Sequence, residues 1–238
     1  MGGIRYLEGV ENLIREIKTT QGENIKKASE IVAHSIMNGG IVYSFGSGHS
    51  FIVAVEITER AGGLVPVKVI EEPSKGLYER IEGVGYKLME RYHFSPNDCF
   101  IIISNSGRNP LIIEVADFIK QKGNRIIAVT SLNVSKKLKS RHSLGKNLYQ
   151  FADVVLDNCV KEGDATIEFK GLPVKVGPVS TIAAIALLQA TIVEAVKVML
   201  ALGYTPPIYM SDNIDGGPEY NRKLIEEYGR KYQGIENI

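Results

Sequence analysis

The feature that most constrains this chain is a unit that occurs twice: a short apolar run, a turn of glycine, serine and asparagine, and then a helical stretch. Residues 41–45 (IVYSF) lead into Gly46-Ser47-Gly48-His49-Ser50, and residues 99–103 (CFIII) lead into Ser104-Asn105-Ser106-Gly107-Arg108-Asn109 ahead of Pro110. Short apolar runs bounded by turn residues are buried strands, and strands separated by helices need crossover connections, which makes the sheet parallel and covers both of its faces. Residues 65–70, 125–130 and 153–157 supply three more such runs. The expected fold is therefore α/β, a three-layer αβα sandwich around a five-stranded parallel sheet of the doubly wound, flavodoxin-like kind.

Around this core the pattern is helical at both ends. Residues 7–37 carry apolar positions at helical spacing and are interrupted near Gly22, which predicts two helices, or one broken helix, before the first strand. Residues 160–176 alternate imperfectly around Gly163 and Gly171 and read as a hairpin arm, with Gly177-Pro178 opening a long apolar helix. The helix after Ser50 is expected to carry Glu56 and Glu59 on one face. Residues 131–149 are basic and without period, so a solvated loop is expected, while residues 219–232 are amphipathic. Nothing resembles a linker, so the 238 residues read as one domain: N-terminal helices over 1–40, a core over 41–202 and an extension over 203–238.

Composition removes several classes of function. Lys and Arg number 28 against 27 Asp and Glu, a net charge of +1, so no global field draws the protein to nucleic acid or to an anionic membrane. Residues 136–146 are basic but lack interleaved aromatics, and no nucleic-acid partner is expected. The apolar stretch 179–202 has the length of a membrane span but contains Gln189, Glu194 and Lys197, which favours a core or interface helix and no membrane association. The first twenty residues carry frequent charges, unlike a signal peptide, so a cytoplasmic location is expected. Cys99 and Cys159 have no CxxC or Cys/His spacing, and neither a metal nor a cofactor is expected.

An anion must therefore be held locally, and the two turns have the means. Glycine allows close backbone approach, serine offers hydroxyls, and a helix start presents free N–H groups with a favourable dipole. The first turn has Phe51 where the dinucleotide fingerprint has its third glycine, and no GK[ST] follows it, so nucleotide readings lose weight. The same residue types also merely cap helices and make turns. Two such turns in consecutive βαβ positions, on the same sheet edge, favour an oxyanion site. Gly48 belongs to it, and Thr130 and Ser131 at the third strand end are further ligand-binding candidates.

On these residues the chain resembles the SIS (sugar isomerase) family over about residues 20–202: a GSGxS-type first turn, an S-x-SG-x-[ST]-type second turn, and a GPxST-like segment at residues 177–181. It looks most like the phosphoheptose-isomerase-like SIS proteins, with an ESRH-like loop (Ser140-Arg141-His142) and a GGPEYN-like tail. The resemblance implies a sugar phosphate ligand and a homodimer or homotetramer with sites near subunit boundaries. It also implies phosphate contacts from Ser50, Ser104, Ser106 and Asn109, assisted by the backbone of Asn105 and Gly107. Asn109 departs from the serine or threonine of the motif but still donates through its amide. An ungapped match to phosphoheptose isomerases lays Glu59 on a glutamate of that family, and lays Glu56 and Arg60 on its zinc-binding histidine and glutamate. Arginine cannot ligate that metal. In the related etherases that cleave lactyl groups from muramic acid phosphate, the catalytic glutamate aligns with Arg60 or, after a one-residue shift, Glu59.

Isomerisation moves a proton between adjacent carbons and needs a positioned acid–base group. Glu59 and His49 are the candidates, His49 by its place inside the first turn. His142 reaches a site only if the basic loop folds over its own or a neighbouring pocket, and Asp164 and Glu168 in the hairpin arm could act across a dimer interface, though surface salt bridging is the favoured reading for them. The expected function is thus a sugar phosphate isomerase of the aldose–ketose type or a related lyase. The alternative is a non-catalytic module in which sugar phosphate occupancy regulates a partner or assembly.

Overall fold

The structure, a computed structural model, describes residues 1–229. Five strands, β1 (Val42–Gly46), β2 (Val67–Val69), β3 (Cys99–Ile103), β4 (Arg125–Thr130) and β5 (Val154–Asp157), form one sheet. Every pairing is parallel, in the order β2-β1-β3-β4-β5. The chain thus runs outward from β1 to one edge, returns, and builds the other side from β3, which makes the gap between β1 and β3 the topological switch point.

Helices α1 (Gly2–Thr20), α2 (Gly22–Met37), α3 (Ser50–Glu56), α4 (Val84–Met89), α5 (Pro110–Gln121), α6 (Leu132–Lys137), α7 (Ser180–Ala201) and α8 (Gly217–Gly229) complete the fold with a two-stranded antiparallel arm, β6 (Ala165–Ile167) and β7 (Val176–Pro178). The period of two in the strands sorts the core. Cys99, Ile101 and Ile103 of β3 join α1, α2, α3 and α7 on one face; Phe100 and Ile102 join α4 and α5 on the other. Burying each large apolar side chain contributes about 1.5–3 kcal/mol, so this alternation holds both helix layers. Burial also pushes the Cys99 thiol up to about 12, so this cysteine acts as a small hydrophobe.

Helix α7 is, among the described residues, the one helix long and apolar enough to cross a membrane by length and composition. In the fold its Ala183, Leu187, Leu188, Ile192, Ala195 and Met199 are buried in the core. Beyond it the chain returns to the sheet edge, where Leu64 bridges Ile208 and Val65 N–H donates to the Pro207 carbonyl at 2.9 Å. Asn221, from the GGPEYN segment, clamps that return by accepting from Met210 N–H at 2.9 Å and donating to its carbonyl at 2.8 Å. The expected amphipathic stretch is observed as α8, and residues 230–232 of that expectation lie outside the described residues.

Two carboxylates fix strand ends. Asp98 accepts from Ile41 N–H and Ser95 N–H, tying the start of β3 to the approach of β1; burial nevertheless pushes its carboxyl above the usual range. Asp153 accepts from Ile126 N–H and Arg125 at 2.8 Å and from Lys120 at 3.1 Å. Burial alone would raise the Asp153 pKa, but these donors hold it below the ordinary value. A depressed folded pKa stabilises above the ordinary carboxylate pKa and loses that contribution as pH falls through the folded value. Asp153→Asn is therefore expected to cost about 1–3 kcal/mol at neutral pH, with the gap to wild type closing well below pH ~4 in urea titrations.

Candidate active site

The switch point opens into a cleft of about 380 Å³ floored by the ends of β1 and β3 and walled by the start of α7. The first turn enters it with Ser47, Gly48, His49 and Ser50, and the second with Asn105. Gly46 ends β1 against the start of α3, where a Cβ would lie 2.5 Å from the Ser50 carbonyl oxygen, so only glycine closes this turn. The hydroxyl of Ser47 is buried there without a hydrogen-bond partner. His49 is exposed and immediately precedes α3.

A strap over residues 72–83 covers the cleft. Buried Glu72 folds it by accepting from Ser74 N–H at 2.7 Å and Gly76 N–H at 2.5 Å. Gly76 sits so close to the first turn that a Cβ would be 3.2 Å from Gly48 Cα, and Lys75 and Glu79 line the cleft on either side of it. From the opposite wall Asp164 accepts from Val179 N–H, Ser180 N–H and the Ser180 hydroxyl, capping α7 across the chain. Its backbone has φ +63°, a conformation that aspartate tolerates better than most residues.

The second turn is built as a rigid knot. Gly107 has φ +62°, and its N–H donates to Ser104 Oγ at 3.1 Å while its carbonyl accepts from Leu148 N–H at 2.8 Å. The Asn105 carbonyl accepts from the Thr130 hydroxyl at 3.1 Å and Ser131 N–H at 3.0 Å, and its Oδ1 accepts from Asn158 at 2.9 Å. Ser106 and Asn109 flank this knot ahead of α5, and Asn109 Oδ1 accepts from Arg141 at 2.8 Å. Thr130 and Ser131 are fully buried, and the Ser131 hydroxyl donates to the Val160 carbonyl, so both shape the turn from below.

Several expectations need correction. Helix α3 ends at Glu56 because Ile57 turns into the core at 1% exposure, and Glu59 has φ +44° outside the helix. Glu56 and Glu59 therefore share no helix face, and Glu59 lines a different cleft, with Lys68, Tyr209 and Arg222 at the β2 edge. Glu56 instead pairs with Arg60. The basic stretch is not a simple solvated loop: it contains α6, and His142 is buried with its Nε2 3.1 Å from Glu114 of α5. Glu168 pairs with Lys175 along the arm, in line with the surface salt bridging expected of it.

With this geometry in place, comparison with known proteins is decisive for the family. The SIS domain family matches residues 5–131. The chain belongs to the SIS domain family. A UPF0309 protein of Listeria monocytogenes is 52% identical over 226 residues, covering 95% of this chain and 97% of that relative. Among solved structures, a phosphoheptose isomerase from Francisella tularensis superposes with TM-score 0.57 at 14% identity, covering 80% of this chain and 94% of that one. The Vibrio vulnificus NanR protein complexed with ManNAc-6P superposes with TM-score 0.52 at 13% identity, covering 94% of this chain and 66% of that one. These likenesses are of fold. The SIS sheet is as the turns implied, five parallel strands with both serine turns at one edge. Glu56 and Arg60, the two residues that the resemblance lays on zinc-binding positions, are joined in an ion pair, and a guanidinium does not ligate zinc.

What the sequence reading of this SIS protein lacked is the strap. Lys75, Glu79 and the α7 cap Asp164 reach the cleft through contacts distant in sequence. The one local signal for the strap was Pro73-Ser74-Lys75-Gly76, a turn-forming run directly after an edge strand.

Proposed function

We propose that this protein binds a sugar phosphate at the β1/β3 switch point and acts as a sugar phosphate isomerase of the aldose–ketose type or a related lyase. The observation that carries the reading is the strap-covered cleft at the switch point of a SIS fold, lined by Ser47 to Ser50 of the first turn and by Asn105 of the second. Ser50 and the second turn, Ser104 to Asn109, hold the phosphoryl group, while the cleft takes the sugar. His49 and Glu79 are the proton-transfer pair: both line the cleft, and Asp164 is already occupied by three donors. Glu59, at the neighbouring cleft, ranks below them for this role. The protein works in the cytoplasm as a homodimer or homotetramer. Exposed Val193, Leu200 and Leu202 along α7 support such assembly.

The test is turnover on a panel of hexose, heptose and amino-sugar phosphates, followed by NMR exchange of the proton alpha to the carbonyl. Glu79→Gln is expected to lower kcat by about 10²–10⁴-fold with KM little changed. No exchange with any panel member would end the catalytic reading. A second reading, a sugar phosphate sensor, draws support from the missing metal ligands and from the likeness to NanR. It predicts ligand-dependent stabilisation and a ligand-dependent change in assembly without turnover.

A further inference from the structure

Three segments distant in sequence deliver an arginine to the first turn of α5. Leu111 N–H donates to the Glu79 carbonyl at 3.1 Å, which brings the next strap residue, Arg80, beside that turn. Arg108 lies within the second turn itself. Arg141 arrives on the basic loop: its N–H donates to the Arg108 carbonyl at 2.9 Å and its Nη1 to Asn109 Oδ1 at 2.8 Å. The buried contact of His142 with Glu114, and of Ser143 with Glu82, holds the loop in this position.

Three guanidinium groups gather there against the carboxylate of Glu79. Arg80 approaches Glu79 only at 3.9 Å, and among the described residues neither Arg108 nor Arg141 forms an ion pair. The Nε of Arg108 is buried without a hydrogen-bond partner. Partial desolvation, followed by the charges of Arg108 and Arg80, holds the Arg141 guanidinium below its ordinary value, against the pull of Glu79. The adjacent cleft has the opposite balance, one lysine (Lys75) facing two carboxylates, Glu79 and Asp164. The arginines therefore supply the positive charge that the cleft itself lacks for a dianion. Guanidinium forks match phosphate oxygens in geometry, and the helix start adds its dipole.

We infer that Arg108 and Arg141, joined by Arg80 of the strap, form a guanidinium clamp that holds the dianionic phosphomonoester of the ligand at the first turn of α5. The inference rests on the sugar phosphate reading and deepens it: the attraction comes from charge on three segments, and the ligand class is a phosphomonoester rather than a neutral or singly charged sugar. Since Arg80 rides on the strap that also carries Lys75 and Glu79, binding the phosphoryl group fixes the strap over the sugar.

The test uses the full chain, with inorganic phosphate as probe against sodium chloride at equal ionic strength, read by melting temperature and by calorimetry. Phosphate is expected to raise the melting temperature of the wild type above the chloride control. Arg108→Gln and Arg141→Gln are each expected to weaken phosphate binding about tenfold or more, and Arg141→Lys, which keeps the charge without the fork, by less. Without phosphate, Arg141→Gln is expected to melt no lower than wild type, because a repulsion has been removed. Arg15→Gln, in a surface pair with Glu11 on α1, is expected to respond as wild type does. A wild type indifferent to phosphate, or unchanged affinity in both glutamine variants, overturns the clamp. The two ideas fail separately. If a panel sugar phosphate binds the Arg108→Gln/Arg141→Gln double variant as tightly as wild type, the clamp falls and the sugar phosphate reading stands. If the clamp binds phosphate as described but no sugar phosphate binds more tightly than inorganic phosphate, the reading falls and the anion site stands.

Discussion

Glu114→Ala is expected to destabilise the protein by about 3–5 kcal/mol, since each donor left unanswered costs about 1–3 kcal/mol and the lost side chain leaves a hole. Glu114 is 1% exposed, and its carboxylate accepts from Gly83 N–H at 2.5 Å, from Gly85 N–H at 2.7 Å and from His142 at 3.1 Å. The histidine can only be the donor in the neutral ring, because Leu144 N–H donates to its other nitrogen, Nδ1, at 3.0 Å. Alanine leaves the donors of Gly83, Gly85 and His142 unanswered, the last two of them buried, and a hole between α4, α5 and the basic loop. Glu114→Gln keeps one acceptor but turns an amide NH₂ toward a donor, and an intermediate loss of about 1–3 kcal/mol is expected. Urea unfolding at pH 7 measures both; a loss below about 1 kcal/mol for the alanine variant would mean that the carboxylate is dispensable. Because the loop carries Arg141, phosphate response should fall together with stability.

Gly46→Ala is expected to be the most damaging single-methyl change to the cleft. The added Cβ would stand 2.5 Å from the Ser50 carbonyl oxygen and 2.6 Å from its carbonyl carbon, both backbone atoms that no rotamer change can move. Relief requires shifting the first turn away from β1. Overpacking of this kind costs about 1–3 kcal/mol in stability. The larger consequence is for binding, since Ser47, Gly48 and Ser50 move with the turn. Ligand affinity in calorimetry should drop at least tenfold, a loss of about 1.4 kcal/mol. A crystal structure of the variant with the turn in place and affinity retained would refute this account of the glycine.

The sheet was legible because buried parallel strands leave an uninterrupted apolar signal. The runs at 99–103 and 125–130 coincide with β3 and β4. The run at 65–70 overreaches β2, since Pro66 lacks a donor and Leu64 and Val65 pair with residues 207 and 208 rather than with the sheet. Both turns were legible for the same reason: glycine and serine at a strand end carry local information. Glu59 was misplaced because helical spacing says nothing of where a helix stops, and Ile57 leaves α3 for the core on tertiary grounds. The basic stretch misled because its net charge is visible in sequence, whereas the partner of His142 is a glutamate on a different helix. Likewise the cap of α7 is Asp164, outside that helix, and no capping residue is found at the usual position.

The strand order has a consequence for how the chain reaches this state. β1 pairs with β2 on one side and β3 on the other, and Asp98 locks the β1–β3 seam by binding Ile41 N–H. Every one of these pairings joins segments far apart along the chain, so loop-closure entropy must be met before any strand bond forms, and folding is slow for a chain of this size. During synthesis β1 emerges before either neighbour, and both of its hydrogen-bonding edges stay open until β2 and β3 follow. The flanking helices α1 and α2, which precede β1 in the chain, can then cover one of its faces. Truncating them would therefore expose the nascent strand to aggregation and strip the finished sheet of part of one helix layer.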